Sequence, residues 1–171
     1  MVTATGSALA RARKAAEEVT DPELPMLTLA DLGVLRGVEI DPHGTVIASL
    51  TPTYSGCPAM AEMRAGVSQR LGAAGFDRVE IRTVLDPPWT TDWITAAGRR
   101  KLAEHHIAPP QAAPRSPGPV LVALSPSRQA VACPHCSCDD TEQLSQFSAT
   151  SCRALLRCRS CLEPFEYFKE I

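Results

Sequence analysis

The sequence is poor in aromatic residues, which fill 5% of its 171 positions. Any core must then be built from Ala, Val, Leu and Ile, and the 44% hydrophobic content excludes a disordered chain. Basic charge is not in excess either. Seventeen Lys and Arg face 19 Asp and Glu, for a formal net charge of -2 without a basic run. That balance gives no electrostatic ground for binding nucleic acid or anionic lipid, so neither is expected as a partner. No stretch approaches the roughly 18 apolar residues of a membrane span. The opening MVTATGSALARARKAAEEV lacks the continuous apolar centre of a secretory signal, and the closing FEYFKEI carries no lipidation motif. The expectation is a cytoplasmic protein. Also missing are a Gly-rich phosphate loop behind a strand and any recognisable Ser, His and Asp constellation.

What is present falls into two parts. Leu9, Ala12, Ala16 and Val19 share a helical face that Ser7 can cap, and the prolines of TDPELP stop this helix. LGVLRGVEI (32–40) and TVIASL (45–50) read as strands around DPHG, a type I turn sequence holding His43. Pro58 suits the first turn of a helix with Met60, Met63, Val67 and Leu71 on one face, ended by Gly75. RVEIRTVL (78–85) reads as a third strand. After DPPW comes TTDWITAAGRRKLAEHH, a helix capped by Thr90 or Thr91 despite Gly98, with His105 and His106 at its end. The fold class expected is α+β, in the order α-β-β-α-β-α, over residues 1–107. Residues 108–132, rich in Pro, Ala and Ser and interrupted by VLVAL, read as a linker. Trp89 and Trp93 read as core anchors.

Residues 133–171 carry six of the seven cysteines. CPHC (Cys133 to Cys136) and CRSC (Cys158 to Cys161) are two C-x-x-C pairs near the spacing of a four-cysteine zinc ribbon. Two such turns complete a tetrahedral thiolate shell with no position left for water, which makes the zinc structural. A module this small buries little, whereas bound zinc contributes roughly 10 to 16 kcal/mol. Iron is the chemical rival in the same shell. Arg157 and Arg159 stand beside Cys158, placed to offset thiolate charge. Cys138 and Cys152 are surplus, either alternative ligands or small buried hydrophobes, and His135 is expected to be exposed.

Cys57 stands apart, in TPTYSGCPAM. It follows a strand, with Gly56 before it and Pro58 after it, which predicts a helix N-cap. Backbone N–H groups and the helix dipole favour a thiolate there. A reactive, metal-binding sulfur and an inert cysteine tucked under the sheet both fit that placement. Asp21 and Glu23 lie on a Pro-fixed loop, either as turn residues or as part of a site around Cys57. A thiol enzyme would need a base that the sequence does not place.

VTDPELPMLTLADLGVLRGVEI, TPTYSGCPAM, DPPWTTDWIT and CRALLRCRSCLEPFEYFK together resemble the PaaD family, which supplies one subunit of the phenylacetyl-CoA epoxidase system. The first part is similar to SufT and the cytosolic iron-sulfur targeting factors, through DPE at Asp21 to Glu23 and CP at Cys57 and Pro58. The resemblance implies a non-catalytic accessory protein in iron-sulfur or diiron-centre maturation, with Cys57, and Asp21 and Glu23 beside it, handling iron or a cluster transiently. It also implies oxygenase or reductase subunits and iron-sulfur assembly proteins as partners, with a homodimer among the candidate assemblies. The alternative is a scaffold subunit in which Cys57 is structural. The chain lacks the paired Glu and Glu-x-x-His helices of a diiron bundle and any dinucleotide fingerprint, so neither catalysis nor electron delivery is expected of it. Against the family pattern, Cys138 stands where a glycine is expected after the first knuckle, which predicts a differently shaped loop.

Overall fold

A computed structural model of the chain describes residues 2–111 and 130–171. It is α+β and divides into two units, Met1–Lys101 with Ile171, and Leu102–Glu170. None of the described helices is long and apolar enough to cross a membrane.

In the first unit, α1 (Val2–Glu17) buries Ala12, Ala15 and Ala16. The expected cap Ser7 lies exposed inside this helix, which begins at Val2, with no proline before Ser7 to stop it. β1 (Leu35–Ile40) and β2 (Val46–Leu50) form the expected antiparallel hairpin. Its turn is closed by the Gly44 N–H on the Asp41 carbonyl at 3.0 Å, and the Asp41 carboxylate also accepts the His43 and Thr45 N–H groups. β1 starts later than the sequence predicts. Gly33 takes φ +69°, and a Cβ there would stand 2.6 Å from that of Trp93, so this close approach ends the extended backbone.

α2 (Met60–Ala73) crosses over to β3 (Val79–Thr83), which pairs parallel with β2. The sheet order is therefore β1-β2-β3, with central β2 almost wholly buried. Met63, Val67 and Leu71 of α2 are buried. The helix stops as expected at Gly75, φ +87°: the Phe76 N–H reaches the Leu71 carbonyl and the Gly75 N–H that of Gly72.

The single helix expected from Thr90 is broken in two. A 3-10 turn (Thr91–Trp93) is capped by the Thr90 hydroxyl, and α3 (Ala96–Glu104) by the Thr95 hydroxyl, which accepts the Gly98 N–H at 2.9 Å. Buried Ile94 lies extended between them, so each threonine caps its own piece. Gly98 is explained by crowding, since a Cβ there would stand 2.8 Å from the Asp31 carbonyl oxygen. Trp89 is a core anchor, its indole N–H donating to the Leu32 carbonyl at 2.9 Å. Trp93 is half-buried beneath the Arg36 guanidinium, 3.4 Å from the ring centroid.

In the second unit, β4 (Ile107–Ala108), β5 (Thr141–Ser145), β6 (Arg153–Cys158) and β7 (Pro164–Phe168) make a sheet of order β4-β7-β6-β5. β4 runs parallel to β7, and the other pairs are antiparallel. Ile107 and Ala108 thus belong to the ribbon sheet, where the sequence placed the end of the first domain and the start of the linker. VLVAL and most of the expected linker lie outside the described residues. Ala108, Val131, Ala154, Leu156, Phe165 and Tyr167 form a core with Cys133 and Cys158 inside it.

Asp31 ties the first unit together. Its carboxylate accepts the Lys101 ammonium at 2.6 Å, the Thr28 N–H at 3.0 Å and the Thr95 hydroxyl, while its own N–H donates to the Thr28 hydroxyl. Burial pushes this carboxyl up, and Lys101 with the Thr28 contacts outweighs it, so Asp31 ionises below the usual carboxylate range. Lys101 is about one-third exposed, which screens the pair. Asp31→Asn should cost about 1 to 3 kcal/mol at neutral pH. Because the folded pKa is depressed, the stabilisation is present above the unfolded value, near 3.8, and is lost as pH falls through the folded one. Urea midpoints followed downward from pH 7 should therefore converge for wild type and variant at the acid end, whereas parallel curves would mean that the charge contributes nothing.

Candidate metal centre

Two loops of the second unit fold alike, and the same three hydrogen bonds recur at matching positions in each. The Cys133 N–H donates to the Cys138 carbonyl at 3.0 Å, and the Ser137 N–H to the Cys133 carbonyl at 2.8 Å. In the second loop the Cys158 N–H donates to the Glu163 carbonyl at 3.1 Å, and the Leu162 N–H to the Cys158 carbonyl at 3.0 Å. Ser137 and Leu162 both take left-handed backbone, φ 61° and 65°. The N–H groups of Cys138 and Glu163 are aimed at the sulfurs of Cys136 and Cys161. The loop expected to differ at Cys138 is therefore built like its counterpart. The residue that turns it is Ser137, and no glycine marks the position in either loop, which hid it from a sequence reading.

These loops bring Cys133, Cys136, Cys158 and Cys161 together, with all four sulfurs within 4.8 Å of one another. Cys133 and Cys161 stand 3.7 Å apart, Cys136 and Cys158 3.5 Å. Four sulfurs held about 2.3 Å from one ion at tetrahedral angles would be about 3.8 Å apart, so the cluster fits a single zinc-sized metal with every position filled. Cys133 and Cys158 are buried, Cys161 is half-buried and Cys136 is exposed.

Without a cation these groups resist sharing negative charge. The Cys161 and Ser160 N–H groups draw the Cys158 thiol down to about 6, against burial. At Cys136 the Cys138 N–H acts to lower the pKa but is outweighed by Cys158, burial, Cys161 and Cys133, which push it up to about 12. Arg157 and Arg159 fork instead onto the Glu142 carboxylate, and Arg159 also approaches Asp140, so their charge is spent largely on the hairpin. His135 is exposed, as expected, and stacks on His106 with centroids 4.4 Å apart. Cys152 is buried with its sulfur 3.0 Å from the Thr150 hydroxyl, outside the cluster.

Cys57 is half-buried in the first unit, behind Gly56 at φ +92°. The regular helix starts later than predicted, since Ala59 is the N-cap of α2 and Cys57 lies two residues before it. Pro58 and Ala59 fill a tight turn closed by the Met60 N–H on the Cys57 carbonyl at 3.3 Å, so winding begins just after the thiol. Asp21 is buried, and its Oδ1 accepts the Glu23 and Leu24 N–H groups, each at 2.8 Å, which shapes the TDPELP loop. Glu23 is exposed. Pro22 between them lines one groove with Glu62 and Met63, near the start of α2.

Left-handed backbone at a branched, Cβ-bearing residue costs roughly 1 to 2 kcal/mol that glycine avoids. Leu162, 67% exposed, has little packing to lose. Leu162→Gly should therefore stabilise the metal-loaded second unit by about 1 kcal/mol, read as a raised unfolding midpoint, while Leu162→Ala should not.

Residues 9–87 match a family model described as iron-sulfur cluster assembly protein, and residues 117–169 one described as PaaD zinc beta ribbon domain. A solved domain of unknown function from Bacillus anthracis, DUF59, shares the fold, with a TM-score of 0.54 at 22% identity over 60% of this chain and 97% of that one. The Staphylococcus aureus Fe-S protein maturation auxiliary factor SufT is 31% identical over 45% of this chain and 88% of its own length. An Escherichia coli protein described as a component of 1,2-phenylacetyl-CoA epoxidase is 43% identical, over 89% of this chain and 87% of that protein. With both modules matched in one alignment of that length, the chain belongs to the PaaD family of phenylacetyl-CoA epoxidase components.

Proposed function

We propose that this protein is a non-catalytic accessory factor that matures an iron-sulfur or diiron centre of the phenylacetyl-CoA epoxidase system. Its partners in this reading are the oxygenase or reductase subunit that receives the metal and the assembly proteins that supply it. The observation that carries the reading is the position of Cys57: half-buried, on a glycine-hinged turn at the head of α2, inside the segment that matches the iron-sulfur assembly family. A sulfur there can bind iron and release it, because one thiolate alone makes a weak site. In this reading Asp21 and Glu23 serve the same site as Cys57, with Asp21 setting its loop's shape through its own hydrogen bonds and Pro22 between them lining a groove with Glu62 and Met63 of α2. The remaining ligands come from the client, the donor or a second copy of the chain, which keeps any cluster labile.

In the same reading Cys133, Cys136, Cys158 and Cys161 hold one structural zinc, which would neutralise the thiolates and fasten the two loops. The ribbon then serves as the docking module.

Two experiments test this. Cys161→Ser, replacing a half-buried ligand, should lower zinc to well below one per chain and expose the second unit to protease; zinc retained at full stoichiometry would refute the four-cysteine shell. For Cys57, epoxidase components purified from a Cys57→Ser strain should contain less iron and turn over more slowly, with normal amounts of the accessory protein itself. Fully metallated, active epoxidase from that strain would leave the scaffold role in its place.

A further inference from the structure

We propose that Cys138 is a reserve ligand of the ribbon's metal, able to take the place of Cys136 in the four-sulfur shell. This rests on the reading that Cys133, Cys136, Cys158 and Cys161 hold the resident ion.

Cys136 is the weak point of that shell. Cys133 and Cys158 are 1% and 0% exposed within the core, whereas Cys136 is open to solvent, where thiol-reactive solutes meet it first. Cys138 lies two residues further on and is half-buried, packed against the same core that contains Cys133 and Cys158. Its backbone is already part of the first knuckle, with its carbonyl on the Cys133 N–H at 3.0 Å and its own N–H on the Cys136 sulfur. Its sulfur accepts the Asp140 N–H at 3.4 Å, the same two-residue contact that the Cys158 sulfur makes with the Ser160 N–H at 3.4 Å.

An exchange of Cys136 for Cys138 would be local. Upstream, Cys133 is held in the core, and downstream the Asp140 carbonyl accepts the Arg159 N–H at 2.9 Å, so only the short stretch between them has to rearrange. Glu163 occupies the position equivalent to Cys138 in the second knuckle, and a carboxylate is a poorer match than sulfur for a thiolate-bound zinc. The first knuckle alone carries a spare sulfur, and it carries it beside the exposed ligand.

Cobalt reports the number of bound thiolates through its sulfur-to-metal absorbance, and it can be titrated into full-length protein in place of zinc. Wild type and Cys138→Ser should both give the four-thiolate spectrum with one cobalt per chain. Cys136→Ser should keep that intensity, and Cys136→Ser with Cys138→Ser should lose about a quarter of it or fail to bind, as three thiolates replace four. The proposal is overturned if Cys136→Ser alone shows three-thiolate intensity or takes up no cobalt, because a reserve ligand would have filled the gap. It is equally overturned if Cys138→Ser alone lowers the wild-type spectrum, which would make Cys138 a resident ligand. Failure of the wild-type protein to give a four-thiolate spectrum would instead sink the reading of the shell itself.

Discussion

Four sulfurs drawn within 4.8 Å of one another are the constraint on which the second unit depends. Brought together as thiolates they repel, and as thiols they fill a core position with weak hydrogen bonds. The shifts at Cys158 and Cys136, in opposite directions, show the same conflict: one site can carry charge only if its neighbour does not. The backbone N–H groups aimed at the sulfurs ease part of it. A divalent cation bound there would remove the rest, and would hold the two left-handed residues in place despite their strain.

The first unit is built on different terms. Its sheet is covered by alanine, valine and leucine side chains, and its polar organisation is concentrated at Asp31, which joins the loop before β1 to the start and the last turn of α3. Glycines at 33 and 98 let backbone approach backbone around that loop. The CP turn at Cys57 leads into α2, whose buried face is fixed by Met63, Val67 and Leu71. A thiol there sits on a turn just ahead of a well-anchored helix.

Much of this was legible in the sequence. The four ligand candidates were evident from two equal spacings, and the hairpin, α2 and its glycine stop from turn chemistry and a 3.6-residue period. What escaped had tertiary causes. Thr95 shares its residue type with Thr90 and Thr91, and nothing local says that the helix restarts there; buried Ile94 decides it. Gly98 looked like a cost because its neighbour, the Asp31 carbonyl, is far away in sequence. Arg157 and Arg159 looked like counterions for the thiolates, but Glu142, which comes alongside only through the β5–β6 pairing, takes both. β4 is two residues long, too short for any periodicity to reveal.

That two-residue strand has a consequence for chain length. By pairing with β7 it places Ile107 and Ala108 beside Glu166 and Tyr167, so the chain between β4 and β5 starts and ends in strands of the same sheet. The entropy of closing such a loop grows only with the logarithm of its length, about 0.6 kcal/mol for each doubling. Related chains can therefore lengthen or shorten the Pro-rich stretch with little effect on the ribbon. A fragment cut to begin at Cys133, in contrast, would leave one edge of β7 without its partner strand.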